Sequence, residues 1–168
     1  RVHALYAQRD KLGRGPESAQ LLNRYEDQFV RAGARLPDAD KATLKKINEE
    51  LASLQTKFRQ RVLEGTKDGA VAVSDVKQLA GLTPEEIGAA AQAAKARGLD
   101  GKWIITLQNT TIQPPLAEMK DRELRRRVYE ASVARCQGGA ADTTAIVTRI
   151  LHLRAQKAKM LGYANFAA

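Results

Sequence analysis

The chain has 168 residues, 43% of them hydrophobic and 28% charged, and its 28 lysines and arginines against 19 acidic residues give a formal charge of +9. A single cysteine, Cys136, excludes an internal disulfide framework and a cysteine-based zinc site. No apolar run approaches the roughly 20 residues of a membrane span, and Arg1-Val2-His3 opens the chain with no hydrophobic signal region.

This length fits one soluble domain with its own core, and a start at Arg rather than Met predicts a processed or cut piece. Val2 to Leu12 reads as the end of a helix. Leu21, Leu22, Tyr25 and Phe29 recur at three-to-four spacing, which predicts a helix from about Pro16 to Ala32 with Gly33 as its stop. Asp38 is placed to cap a longer helix whose apolar positions are Leu44, Ile47, Leu51, Leu54, Phe58 and Val62. These form a narrow seam with polar residues between, as in a coiled coil or antiparallel helix pair, and Gly65 is expected to end it.

Ala70-Val71-Ala72-Val73 is a short β-prone run. The next helix is marked at both ends, by Thr83 with Glu86 three residues on as a capping box, Pro84 in the first turn, and Gly98 beyond the end. Its face is small, with Ala90, Ala91 and Ala94, so a neighbour can approach closely. Trp103-Ile104-Ile105-Thr106-Leu107 is the second β-prone run. The two runs are expected to pair as a two-stranded ribbon covered by the alanine-rich helix between them, because two strands alone are marginal. Gln108 to Leu116, with Pro114-Pro115, reads as an extended connection. Asp121 then caps a helix carrying Leu124, Val128 and Ala131, and Asp142 another carrying Val147, Ile150, Leu151, Ala158 and Leu161, closed by Gly162. There is no internal repeat, low-complexity tract or dividing linker.

The residues that could carry chemistry are few. A helix-borne zinc peptidase site needs two His at i and i+4 with a Glu between them, and the two histidines, His3 and His152, cannot make it. Gly13-Arg14-Gly15-Pro16 lacks the third glycine, the lysine and the preceding strand of a phosphate loop and reads as a turn. Asn109-Thr110-Thr111 matches a glycosylation sequon, a pattern that arises often by chance. Cys136 follows Arg135 at a helix C-terminus, where the dipole disfavours a thiolate and argues against a nucleophilic role.

The basic balance makes nucleic acid or an acidic surface the first partner to weigh. The charge is spread along the chain, however, which reads as solvated helix faces rather than a phosphate-binding stripe. One cluster stands out: Arg122, Arg125, Arg126, Arg127 and Arg135 on one predicted helix, and Arg149, Arg154, Lys157 and Lys159 on the next. It has the composition of a phosphate or carboxylate site. The favoured expectation is plainer, that these helices show basic faces to water or to acidic residues outside the chain.

Six segments in order carry a likeness. They are Phe29-Val30-Arg31-Ala32-Gly33-Ala34, LASLQTKFRQRVL from Leu51 to Leu63, Leu79-Ala80-Gly81-Leu82, GKWIITLQNTTIQPPL from Gly101 to Leu116, RELRRRVYEASVARC from Arg122 to Cys136, and LRAQKAKMLGYANFA from Leu153 to Ala167. Together they resemble the thimet-oligopeptidase family of zinc metallopeptidases, above all its bacterial peptidyl-dipeptidase (dipeptidyl carboxypeptidase) branch. The resemblance implies an almost wholly helical, two-lobed enzyme with a deep channel, hydrolysing short unstructured peptides at a zinc held by HExxH and a downstream Glu. This sequence contains no HExxH. The match is therefore to the helical region before the catalytic lobe, and no catalytic, cofactor-binding or metal-ligating residue is assigned in the chain.

The expectation is thus a single, mainly α domain over residues 1–168, a bundle or array of about five to six helices with a ribbon of about 70–73 with 103–107. It would be a non-catalytic part of the substrate-channel wall, with zinc only in the parent enzyme. Its partners would be the remaining catalytic lobe and, for the parent, short peptides; no nucleic acid and no membrane are expected, while the isolated piece would self-associate. The expected compartment is the cytoplasm, with the periplasm as the alternative. Two other classes remain in view, a basic helical nucleic-acid-binding module and a structural coiled-coil interaction domain built on the seam from Leu44 to Val62.

Overall fold

The computed structural model describes residues 1–168. Seven α-helices and a two-stranded sheet follow in the order α1 (Val2–Ala7), α2 (Pro16–Arg31), α3 (Asp38–Asp68), β1 (Val71–Val73), α4 (Pro84–Lys95), β2 (Trp103–Ile105), α5 (Asn109–Glu118), α6 (Arg122–Val133) and α7 (Thr144–Met160). Short 3-10 turns lie at Arg9–Lys11 and Val76–Leu79. The chain is thus mainly α with a small β ribbon, as its periodicity predicts. It divides into two compact units, one of residues 1–54 and 149–168, the other of residues 55–148.

In the first unit, the leading half of α3 buries Leu44, Ile47 and Leu51, and the later part of α7 buries Ile150, Leu153 and Ala158. Polar contacts tie these two helices: Arg149 forks onto Glu50, with Nε to Oε1 at 2.6 Å and Nη2 to Oε2 at 2.8 Å, and Lys157 Nζ donates to Asn48 Oδ1 at 2.9 Å. Helix α1 packs on α2.

In the second unit, β1 and β2 pair antiparallel with Val71 opposite Ile105, Ala72 opposite Ile104 and Val73 opposite Trp103. The pairing is shorter than the sequence runs. Val71, Val73, Ile105 and Leu107 join Leu79, Ile112, Met119, Leu124 and Val128 in one core, with Trp103 and Ala131 packed on it. Helix α4 packs against β2 and buries Ala90 and Ala94. Small side chains there allow the backbone of the helix close to the strand. The start of α4 is closed by both bonds of the capping box, Glu86 N to Thr83 Oγ1 and Thr83 N to Glu86 Oε2. Its end is a Schellman turn, in which Leu99 N donates to Ala94 O and Gly98 N to Lys95 O while Gly98 takes φ +71°. Asp121 caps α6 by accepting from Leu124 N at 3.0 Å.

Three expectations are corrected. Gly65 does not end α3, which runs on to Asp68. A β-carbon at Gly65 would lie 2.7 Å from Cys136 Sγ, so the glycine serves close approach by the 134–143 loop rather than termination. A glycine inside a helix costs about 1 kcal/mol against alanine, too little to stop one of this length. Second, the segment after Leu107 is helical, not extended. Pro114 and Pro115 take away the donors that would face the Thr110 and Thr111 carbonyls, yet Ile112 and Pro115 are buried and Leu116 packs on the core. That burial outweighs the bias of a residue before proline against the α conformation. Third, α7 starts at Thr144, so Asp142 lies just outside it. Its Oδ1 nevertheless accepts from Thr144 N at 2.7 Å and its Oδ2 from Gly138 N at 3.0 Å, so the same carboxylate serves the helix start and the preceding turn.

Candidate functional site

The arginine cluster is distributed rather than convergent. Around α6, Arg125 donates to the Met119 carbonyl, Arg127 Nη2 to Ala72 O at 3.1 Å, and Arg135 Nη1 to Leu107 O at 2.7 Å. These guanidiniums tie the end of α5, the middle of β1 and the segment after β2 to α6 and the turn beyond it through backbone carbonyls. Arg126 is held between Glu123 and Glu130 on its own helix surface, which raises its pKa further, and Arg122 is exposed. On α7, Arg149 and Lys157 are engaged with Glu50 and Asn48 as described, and Lys159 is exposed. The Arg154 guanidinium lies 4.9 Å from the centre of the Phe166 ring, and its buried Nε has no hydrogen-bond partner. Arg126, Arg127 and Arg149 are exposed as well as bonded, so the expectation that these side chains face water fits them together with Arg122 and Lys159, whereas Arg125, Arg135, Arg154 and Lys157 are half-buried.

The most polar constellation lies where sequence spacing gives no hint of it. Glu26 on α2 is 3% exposed, and its Oε1 meets His3 Nδ1 at 2.8 Å and Arg35 Nη2 at 2.6 Å. The three residues are separated by 23 and 9 positions, so only folding brings α1, α2 and the turn after α2 to one carboxylate. Burial alone would raise the Glu26 pKa. The hydrogen bonds from His3 and Arg35 prevail and hold it below the ordinary glutamate range. Beside it opens a cleft of about 540 Å³ whose apolar wall is Val2, Phe29, Val30 and Ala34, with Arg1, His3 and Arg35 also lining it. A carboxylate already bonded to two donors is a structural clamp and a poor general base.

A second cleft, of about 350 Å³, lies between α4 and α5 over β2, lined by Ala89, Ala93, Ile104, Thr106, Thr110 and Pro114 among others. The sequon residues Asn109 to Thr111 form the first turn of α5, with Thr111 Oγ1 bonded to Thr106 and Gln108 carbonyls. Gly13 to Gly15 is an irregular connection leading into α2, Gly15 serving as its N-cap.

Neither histidine has the company of a metal ligand. His152 is exposed on α7, His3 shares its carboxylate with an arginine, and nowhere do three His, Cys, Asp or Glu side chains converge. Cys136 takes φ +60° and places Sγ 3.6 Å from the Arg61 carbonyl, packed against Gly65. No base stands beside it.

Residues 115–168 match Peptidase family M3. The whole chain is 46% identical over 169 aligned positions to dipeptidyl carboxypeptidase of Escherichia coli, of which it covers 25%. It is 40% identical to the chloroplastic and mitochondrial organellar oligopeptidase A of Arabidopsis thaliana, with 88% of the chain aligned to 20% of that protein. Oligopeptidase A of E. coli is 29% identical across 83% of the chain and 21% of its own length. The resemblance read from the six segments is borne out. The chain spans about a quarter of the length of the curated relatives it matches.

Proposed function

We propose that the chain is a non-catalytic helical segment of a zinc-dependent peptidyl-dipeptidase or oligopeptidase that hydrolyses short peptides, and that residues 1–168 form one part of its channel wall. One observation carries this reading: the entire chain aligns at 46% identity with a quarter of a dipeptidyl carboxypeptidase while containing no HExxH. In such an enzyme zinc polarises the scissile carbonyl and activates a water, with a Glu as base. The sequence contains no HExxH, which supports assigning this chemistry to polypeptide outside these 168 residues. This chain supplies shape. Within each unit the helices are clamped, by Glu26 and Glu50 in one and by the arginines around α6 in the other, which suits a structural rather than a reactive part.

Two further features agree with the reading. No helix is long and apolar enough to cross a membrane. The basic side chains around α6 are engaged mainly with carbonyls and carboxylates of this chain, which favours the peptidase reading over the nucleic-acid alternative. A cytoplasmic setting, with a periplasmic one as the alternative, completes the proposal. The test is an internally quenched short peptide presented to the full-length polypeptide with and without a zinc chelator. Chelator-sensitive cleavage is expected, release of C-terminal dipeptides marking the peptidyl-dipeptidase and internal cleavage the oligopeptidase, and no chelator-sensitive cleavage would refute the proposed activity.

A further inference from the structure

Helix α2 is apolar over more of its circumference than its own unit covers. Ala19, Leu22, Glu26 and Val30 turn inward, half-buried or buried. Leu21, Tyr25 and Phe29 form a second flank at i, i+4 and i+8, and they are 53%, 48% and 48% exposed. Glu17, Gln20, Arg24, Asp27 and Arg31 take the polar side. The flank runs about 12 Å along the helix, at 1.5 Å per residue over eight residues. At its Phe29 end it opens into the cleft of about 540 Å³, where the lining Arg1 and Arg35 outnumber the single carboxylate of Glu26 and leave the mouth positively charged.

Resting on the reading that the chain is a quarter of a longer peptidase, we propose that the flank Leu21–Tyr25–Phe29 seats an amphipathic helix from the remaining polypeptide. That helix presents apolar side chains at the same four-residue spacing and an acidic residue to the cleft mouth. Three observations select this occupant. The relatives carry three further quarters of polypeptide that must dock somewhere. A straight i, i+4, i+8 row is a ridge that fits the groove between the side-chain rows of another helix. The basic mouth at one end of the row favours a carboxylate there.

A photo-cross-linking phenylalanine in place of Tyr25, in the full-length polypeptide, tests this. Irradiation should give an internal cross-link to a segment outside residues 1–168 that reads as an amphipathic helix with an acidic end. No cross-link, a link to a second copy, or a link to a non-helical segment would overturn the proposal. A second measurement guards against a silent probe: Leu21→Glu with Phe29→Glu should lower the melting temperature of the full-length polypeptide, whereas Gln20→Glu on the polar side of α2 should leave it unchanged. Equal effects of the two variants would count against it. Peptide cleavage is assayed on the same full-length sample. Cleavage with no cross-link removes this interface and leaves the functional reading standing, whereas the cross-link without cleavage removes only the functional reading.

Discussion

Glu26 is a carboxylate nearly removed from water, and it stays ionised because His3 and Arg35 both reach it. Its pKa is lower in the folded chain than in the unfolded one. Such a group stabilises the fold above the ordinary glutamate pKa of about 4.3 and loses that contribution as the pH falls through the folded value. Glu26→Gln should therefore flatten the acid side of a stability-against-pH curve measured by urea unfolding, and an unchanged slope below about pH 4.3 would contradict the clamp. The apolar seam of α3 is graded in the same way. Leu51 is 6% exposed whereas Leu54 is half-buried. Leu51→Ala should cost about 2 to 5 kcal/mol and Leu54→Ala distinctly less. Equal and small losses in chemical denaturation would mean that the seam is not a core. The seam is legible in the sequence as a period, but its gradient is not, since that depends on what each turn of the helix meets. Glu26 looks like any surface glutamate on α2, because its partners arrive from 23 and 9 residues away.

At the scale of elements, helix boundaries written in local chemistry are readable. Thr83 with Glu86, Asp121 with Leu124 N, and the glycine turns after α2, α4 and α7 all act within five residues of themselves. Thr83→Ala should cost about 1 kcal/mol in thermal unfolding. What the sequence hides are cases where a distant contact decides. Gly65 sits inside α3 because Cys136 comes down upon it, and Asn109–Glu118 is helical because Ile112 and Pro115 find a core. The first case predicts a coupling. Gly65→Ala should destabilise the chain by about 1 to 3 kcal/mol through overpacking, and Cys136→Ala in the same chain should recover much of it. Additive losses in the double-mutant cycle would show that the two residues do not press on each other. The ribbon is read correctly in kind and trimmed in length, because the register closes only from Val71 to Val73.

At the scale of the whole molecule, a chain with half-exposed Leu21, Tyr25 and Phe29 carries more apolar surface than a lone soluble domain needs. The 168-residue chain should self-associate in a way that added salt does not relieve, because apolar contact is not screened. A nucleic-acid module would stay monomeric and release DNA as salt rises. Light scattering and fluorescence anisotropy over one salt series separate the two. The candidate site is the least legible part, and for a physical reason: the Glu26 clamp is assembled from residues 23 and 9 positions away, so no local motif announces it. The most direct test of the account is the rate of cleavage of an internally quenched short peptide by the 168-residue chain and by the full-length polypeptide, side by side with equal added zinc. The account predicts an inert chain and a chelator-sensitive full-length enzyme. Chelator-sensitive turnover by the chain alone, or an inert full-length polypeptide, would contradict it.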